Sequence, residues 1–295
     1  MHRRALAVPV GAPARFFRAG RYRIGQGNRA YGFLLTWRLP SPDLGDPMSE
    51  LLVLRRTRSP AIVPPLLSFA AGFIDSFTFL ALFGLFVAQV TGSFVLAAAA
   101  IVTNEQGALT KLLAIPVFLL AAVATTIFAV MLERRGRAAL AWVLGLECAV
   151  LTGFLLTALI GRPLANPNAA SVTAASLLGL FAMGTQSATV RLLMKDVAST
   201  NVMTTNTTQI GIDAIELLLA WQARRRAPAD AAVAAAYDAA RARFAALFAI
   251  MLGFLVGTAF GALAYVAIGA WGLLLPLAIM YAILAWASAR SLAQD

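Results

Sequence analysis

The sequence predicts an all-α polytopic membrane protein with about six net crossings, two of them made by broken or re-entrant helical units, in an inverted 3+3 repeat. Three observations lead there. The chain has 295 residues, 60% of them hydrophobic and 13% charged, with mean hydropathy +0.80; that balance belongs to lipid-embedded proteins. Its apolar runs fall into pieces, and two pairs of them are each too long for one straight span. Finally, the apolar stretch Ser68 to Leu96 carries Asp75, Gln89 and Thr91-Gly92-Ser93. A carboxylate at the centre of a membrane helix costs at least ~2.5 kcal/mol, so its retention demands a polar interior.

Charge gives the chain its direction. Residues 1–58 hold 11 Arg against Asp43, Asp46 and Glu50, a net +8, which leaves +3 for the remainder of the +11 total. A basic block ahead of the first span fits retention on the cytoplasmic side. Residues 1–47 show no sustained periodicity and read as a disordered tail; an alternative is a start at Met48. The domain division is therefore a tail over 1–58 and a helical domain over 59–290, with repeat one at 61–160 and repeat two at 169–290.

The elements are taken in chain order. Ala61–Phe86 is the first span, with Pro64 and Pro65 in its first turn, where proline is tolerated. Val87–Thr103 comes after a turn near Gly84, then Lys111–Leu132 with Pro116 early. A tight basic loop, Glu133 to Arg137, precedes Ala138–Ile160. The loop GRPLANPN at 161–168 marks the midpoint. Ala169–Met194 and the polar Ser199–Trp221 open the second half. Arg224 to Arg243 reads as a cytoplasmic helix, before the spans Phe244–Gly269 and Trp271–Arg290.

Positive charge decides the number of crossings. If every piece crossed with the N-terminus inside, the Arg134–Arg137 loop, Arg191 and Lys195 would lie outside. If 62–103 and 171–221 each cross once, both Arg clusters, Arg290 and both termini fall inside. The halves also match: Ala71-Gly72-Phe73-Ile74-Asp75-Ser76 resembles Met183-Gly184-Thr185-Gln186-Ser187, and Thr91-Gly92-Ser93 resembles Thr204-Thr205-Asn206-Thr207-Thr208. Three crossings per half would invert one repeat against the other, a transporter arrangement with a site near the midplane.

Four segments carry a family resemblance: AGFIDSFTFLALFGLFVAQVTGS at 71–93, AMGTQSATVRLL at 182–193, TNVMTTNTTQ at 200–209 and GALAYVAIGAWGLLLP at 261–276. Together, over about 60–290, they resemble the YoaK-like family of bacterial membrane proteins, a domain of unknown function. The resemblance implies a multi-spanning inner-membrane protein and no established substrate. Where the family pattern has His and Asn around the Thr-Gly pair, this chain has Gln89 and Ser93, which argues against a titrating side chain there.

Asp75 is the first site candidate, because Gly72, Asp75 and Phe79 share a helix face that points the carboxylate at a neighbour lacking bulk. The plainer reading is a structural carboxylate bonded to hydroxyls or backbone N–H groups. Gln89, Thr91, Gly92 and Ser93, with Gln186, Thr205, Asn206 and Gln209, lie where a helix break would expose backbone able to bind a solute or ion. Ser/Thr packing between helices is the plainer alternative. Asn206, Gln209, Asp213 and Glu216 form one polar stripe, with Glu216 expected near water and Arg224. Glu147, expected to pair with Thr125, Thr126 or Gln186, and Asp213 are second-rank candidates. Gly253, Gly257 and Gly261 form two overlapping GxxxG steps that admit another helix, or a second copy in a homodimer.

The only histidine is His2 and the only cysteine Cys148. That removes a Ser-His-Asp triad, the usual zinc sites and an internal disulfide. The expected function is a small-solute transporter or permease of the inner membrane, coupled to protons through Asp75, with no cofactor, no metal, no enzymatic activity and no nucleic-acid partner. The rival readings are a membrane scaffold or sensor using the GxxxG face and 222–243, and a membrane enzyme built on Asp75, Glu147, Asp213 and Glu216.

Overall fold

A computed structural model describes residues 54–292, apart from 106, 163, 165 and 196. The expected tail over 1–47 and the alternative start at Met48 lie outside the described residues. All the regular elements among the described residues are helical. Helix α1 is Val63–Ala81, α2 Val90–Val102, α3 Ala108–Arg134, α4 Ala139–Ile160, α5 Ala170–Leu193, α6 Met203–Arg226 and α7 Ala231–Ile268. A 3-10 turn, Gly269–Leu273, leads into α8, Leu274–Leu292. Four helical stretches are long and apolar enough to cross a membrane: Val63–Ala81, Ala108–Arg134, Ala139–Ile160 and the run Ala231–Leu292 that holds α7 and α8.

Helix α1 is the axis of the fold. Pro64 and Pro65 occupy its first turn, where no intrahelical donor is lost. It is buried over most of its surface, with Leu67, Ala70, Phe73, Ile74 and Phe77 each at 1% exposure or less. It stops at Ala81 because Phe83 and Gly84 take positive φ, 57° and 79°, which turns the chain back. The expected span to Phe86 is thus five residues too long.

The glycine stripe of α7 lies on α1. Methyl groups at Gly253, Gly257 and Gly261 would overlap the carbonyl oxygens of Pro65, Phe69 and Phe73, and one at Gly72 would overlap that of Phe254. Two backbones in direct contact need glycine on the facing surface. That face is therefore filled within the chain, and a homodimer through the same three glycines would have to displace α1.

In the other half, α5 lies between α3 and α4. Gly184 repeats the role of Gly72: a Cβ there would come within 2.7 Å of Ala121 and 2.9 Å of the Phe118 carbonyl on α3. Helix α2 packs on α3, α6 on α7, and α4 on α8. The buried core joins α1, α4, α5 and α8 through Phe77, Leu144, Phe154, Leu180 and Met280.

Other boundaries also differ from the sequence expectation. Residues 231–243 of the expected cytoplasmic helix and the span that follows them are one continuous helix, α7, of 38 residues, while 224–226 end α6. At ~1.5 Å rise per residue it is far longer than a bilayer core about 30 Å thick. Its start is fixed by Asp230, whose side chain accepts from the Ala232 and Val233 amides at 2.8 and 3.3 Å. Arg243 and Arg224 then hold α6 alongside through Glu216 and Asp238, at 2.9 and 3.3 Å. The sequence expectation had paired Glu216 with Arg224; the antiparallel register puts Arg243 there instead.

Residues 54–58, assigned to the tail, belong to the packed body. Thr57 pairs with Met194 in an isolated parallel bridge, its amide donating to the Leu193 carbonyl at 2.7 Å and its carbonyl accepting from Lys195 at 3.0 Å.

Candidate functional site

The first interruption, between α1 and α2, is held by Asp75. Its Oδ1 accepts from the Val87 and Ala88 amides, both at 2.8 Å, and Thr78 donates to its carbonyl at 3.1 Å. The carboxylate is 2% exposed, and Oδ2 has no partner among the described residues. This corrects the expectation that Asp75 faces a neighbouring helix. The adjacent face, at Gly72, meets α7, and the carboxylate points at the folded-back chain that leads into α2. A backbone turn inside an apolar body must have its N–H groups satisfied, and one charged oxygen satisfies two.

Gln89 caps the start of α2 with φ −100° and ψ 76°. Ser93, one turn further on, is buried and donates from its hydroxyl to the Phe86 carbonyl at 2.8 Å. Thr91 is exposed and Gly92 half-buried, its missing side chain leaving room for the Phe86 ring 3.0 Å from where a Cβ would sit. These residues build the break rather than converging on a common point.

The second interruption, between α5 and α6, uses the same geometry. Val202 caps α6 with φ −101° and ψ 78°. Asn206, 4% exposed, donates to the Ser199 carbonyl at 2.7 Å. Ser93 and Asn206 each reach back seven residues to a carbonyl of the break before their own helix. The loop is then tied to α1, because the buried Ser68 hydroxyl donates to the Thr200 carbonyl at 3.0 Å.

Thr205, Asn206 and Gln209 line a cavity of about 880 Å³ beside this second break. Its other walls come from 58–65, the end of α5 and the segment of α7 around Leu247. Asp213 is buried and accepts from Gln209 at 2.8 Å, which orients that amide. Glu216, the last member of the expected stripe, is exposed and spent on Arg243. The stripe is thus divided between cavity and surface.

Gln186 and Glu147 sit elsewhere, in the core. Gln186 is fully buried and donates to the Leu67 carbonyl of α1 at 2.8 Å, while its Oε1 has no partner among the described residues. Glu147 is fully buried on α4 with neither oxygen partnered among them. The pairings expected for Glu147 do not form. Thr125 donates to Thr185 at 3.2 Å, Thr126 to the Ala122 carbonyl at 2.7 Å, and Gln186 is turned to α1.

The sequence reading missed the basic side chains of the cavity. Arg58, Arg191 and Lys195 line it together with Arg243. Their signal in the sequence is a set of charges interrupting or flanking apolar segments, which served there only to count crossings. Among the described residues there is no cluster of three or more His, Cys, Asp or Glu that could hold a metal ion.

No curated protein and no solved structure matches this chain. The model of one family, described as proteins of unknown function, matches residues 65–286. That match takes in α1, both interruptions, the cavity-lining turns of α6 and most of α8, so the chain is a member of the DUF1275 family of membrane-like helical proteins.

Proposed function

We propose that this protein is a small-solute transporter of the bacterial inner membrane, working through two mirrored, interrupted helical units. The observation that carries the reading is the pair of breaks. They share cap dihedrals within a few degrees and the same seven-residue side-chain-to-carbonyl bond, Ser93 to Phe86 and Asn206 to Ser199. Interrupted helices in corresponding positions of two halves are what transporters use to bind solutes within the bilayer.

The packing supports the same reading. α1 lies on α7 as α5 lies on α3, α4 contacts α5 as α8 contacts α1, and α2 lies on α3 as α6 on α7. Exchanging the halves maps each of these pairs onto another. Six net crossings with both termini inside fit this arrangement. Arg56 donates to the Arg191 carbonyl and Arg290 to that of Arg58, so three basic segments meet at one end. Arg162 stacks on Trp271 at another loop cluster, and the Gly107 amide meets Asn168 beside it. Positive charge gathered at one end supports a cytoplasmic side for that end.

In this reading the solute enters at the cavity beside the second break and meets Thr205, Asn206 and Gln209. Asp75 holds the first break, and its free Oδ2 is where proton coupling would act. Uptake by purified protein in liposomes, screened across solute classes, tests the proposal. At least one class is expected to accumulate, and Asn206→Ala with Gln209→Ala to abolish that accumulation. A folded, reconstituted protein that moves no class would leave the scaffold reading in its place.

A further inference from the structure

We propose that the cavity beside the second interruption binds a phosphate-type oxyanion, carried by a soluble solute or by the headgroup of an anionic lipid. This names the ligand class of the transport reading and rests on that reading only for the steps after binding.

The cavity, at about 880 Å³, has the size of a small-ligand site. Four cations line it, Arg58, Arg191, Lys195 and Arg243, and no Asp or Glu does among the described residues. Among the described residues only Arg243 has a carboxylate partner there, Glu216 at 2.9 Å. Arg58, Arg191 and Lys195 have none among the described residues. Three like charges gathered on one concave wall repel one another, and an anion between them reverses the sign of that interaction.

The backbone that carries three of these cations is held in place. Arg56 donates to the Arg191 carbonyl at 2.6 Å, Arg290 to the Arg58 carbonyl at 3.0 Å, and Thr57 clamps Met194 and Lys195. The bonds from Arg56 to Arg191 and from the Thr57 amide to Leu193 spend two main-chain carbonyls at the C-terminal end of α5, which would otherwise present negative charge to an anion. Val202 at the N-cap of α6 and Thr205 in its first turn line the same cavity, so the positive end of its dipole opens onto it. Guanidinium groups on an anchored backbone, with a helix N-terminus, suit the tetrahedral, multiply charged geometry of phosphate.

The test uses full-length protein in phosphatidylcholine nanodiscs, followed by thermal unfolding. Sodium phosphate is compared with sodium chloride at equal ionic strength. Separately, discs containing phosphatidylglycerol are compared with pure phosphatidylcholine. A rise of several degrees in Tm is expected with one probe or both. A response to phosphate identifies a soluble ligand, and a response to phosphatidylglycerol alone identifies a lipid headgroup. The Arg191→Gln/Lys195→Gln variant should bind the effective probe at least tenfold more weakly. Thr205→Glu, an exposed substitution that places a carboxylate on the wall, should do the same if the first variant fails to fold. Arg225→Gln removes a charge that stacks on Trp221 outside the cavity and should leave binding unchanged. Absence of any shift in the wild type, or equal weakening by Arg225→Gln, overturns the proposal. Oxyanion binding by a protein that moves no solute class would sink transport and leave this site standing. Uptake of a neutral or cationic solute without oxyanion binding would do the reverse.

Discussion

Asp75 Oδ1 lies 2.8 Å from the Val87 amide, twelve residues further along the chain, and the same oxygen takes the Ala88 amide. A single carboxylate thereby closes the break between α1 and α2. Asp75→Ala strands two buried N–H groups, each at a cost of about 1–3 kcal/mol. Asp75→Asn keeps an acceptor oxygen for the two amides and puts an NH2 in place of the second oxygen. Thermal unfolding in detergent should show a large loss for alanine and a clearly smaller one for asparagine. Equal Tm values for the two variants would refute the capping role. Full pH-dependent uptake by Asp75→Asn in proteoliposomes would remove proton coupling from the transport reading.

Ser93→Ala and Asn206→Ala each delete one bond to a break carbonyl, at about 1 kcal/mol apiece. The two breaks use separate partners, so the losses should add in the double variant. Strong coupling between them in a double-mutant cycle would show that the breaks form one unit.

Gly257→Leu drives a side chain into the Phe69 carbonyl on α1. Overpacking costs about 1–3 kcal/mol even where neighbours can shift, and here backbone blocks the move. Size-exclusion profiles should show aggregated or poorly expressed protein. Gly211 lies in α6 with nothing within 4 Å of a Cβ, so Gly211→Ala should be neutral or stabilising. The gain of an alanine over glycine in a helix interior is roughly 0.5–1 kcal/mol.

Glu147 is fully buried with both oxygens unpartnered among the described residues. An apolar replacement removes that desolvation cost, so Glu147→Leu should raise Tm. If the variant is also fully active in uptake, Glu147 has no part in transport. If Tm falls instead, the carboxyl has a partner in the folded protein.

Activity reporters fused after Arg137, Arg162 and Arg226 test the topology. A periplasm-dependent reporter should be silent after Arg137 and Arg226 and active after Arg162. Activity after Arg137 would break the arrangement of six crossings.

The glycine spacing of α7 and the matched motifs around Gly72 and Gly184 were legible because each is a local pattern of residue type. The partner of the glycines was not: any helix with an open backbone face would serve, and only packing chose α1 over a second copy. Asp75 was singled out by the cost of a carboxylate in an apolar run, yet its bond to Val87 depends on Phe83 and Gly84 turning the chain back. The cavity was hidden most completely. Arg58, the pair Arg191 and Lys195, and Arg243 stand on three separate segments, and no short window along the chain contains all four.

By itself, then, the sequence determined that the chain is an apolar, all-helical membrane protein, that it keeps polar residues such as Asp75 and Asn206 in apolar segments, and that it is interrupted near Gly84 and between 194 and 199. Hydropathy, charge and helix-breaking residues act over a few neighbours, so composition and spacing carry them. Tertiary structure alone decided what each polar group meets. Helices distant in the chain satisfy one another's donors and fill one another's grooves, and that pairing depends on how the whole bundle closes.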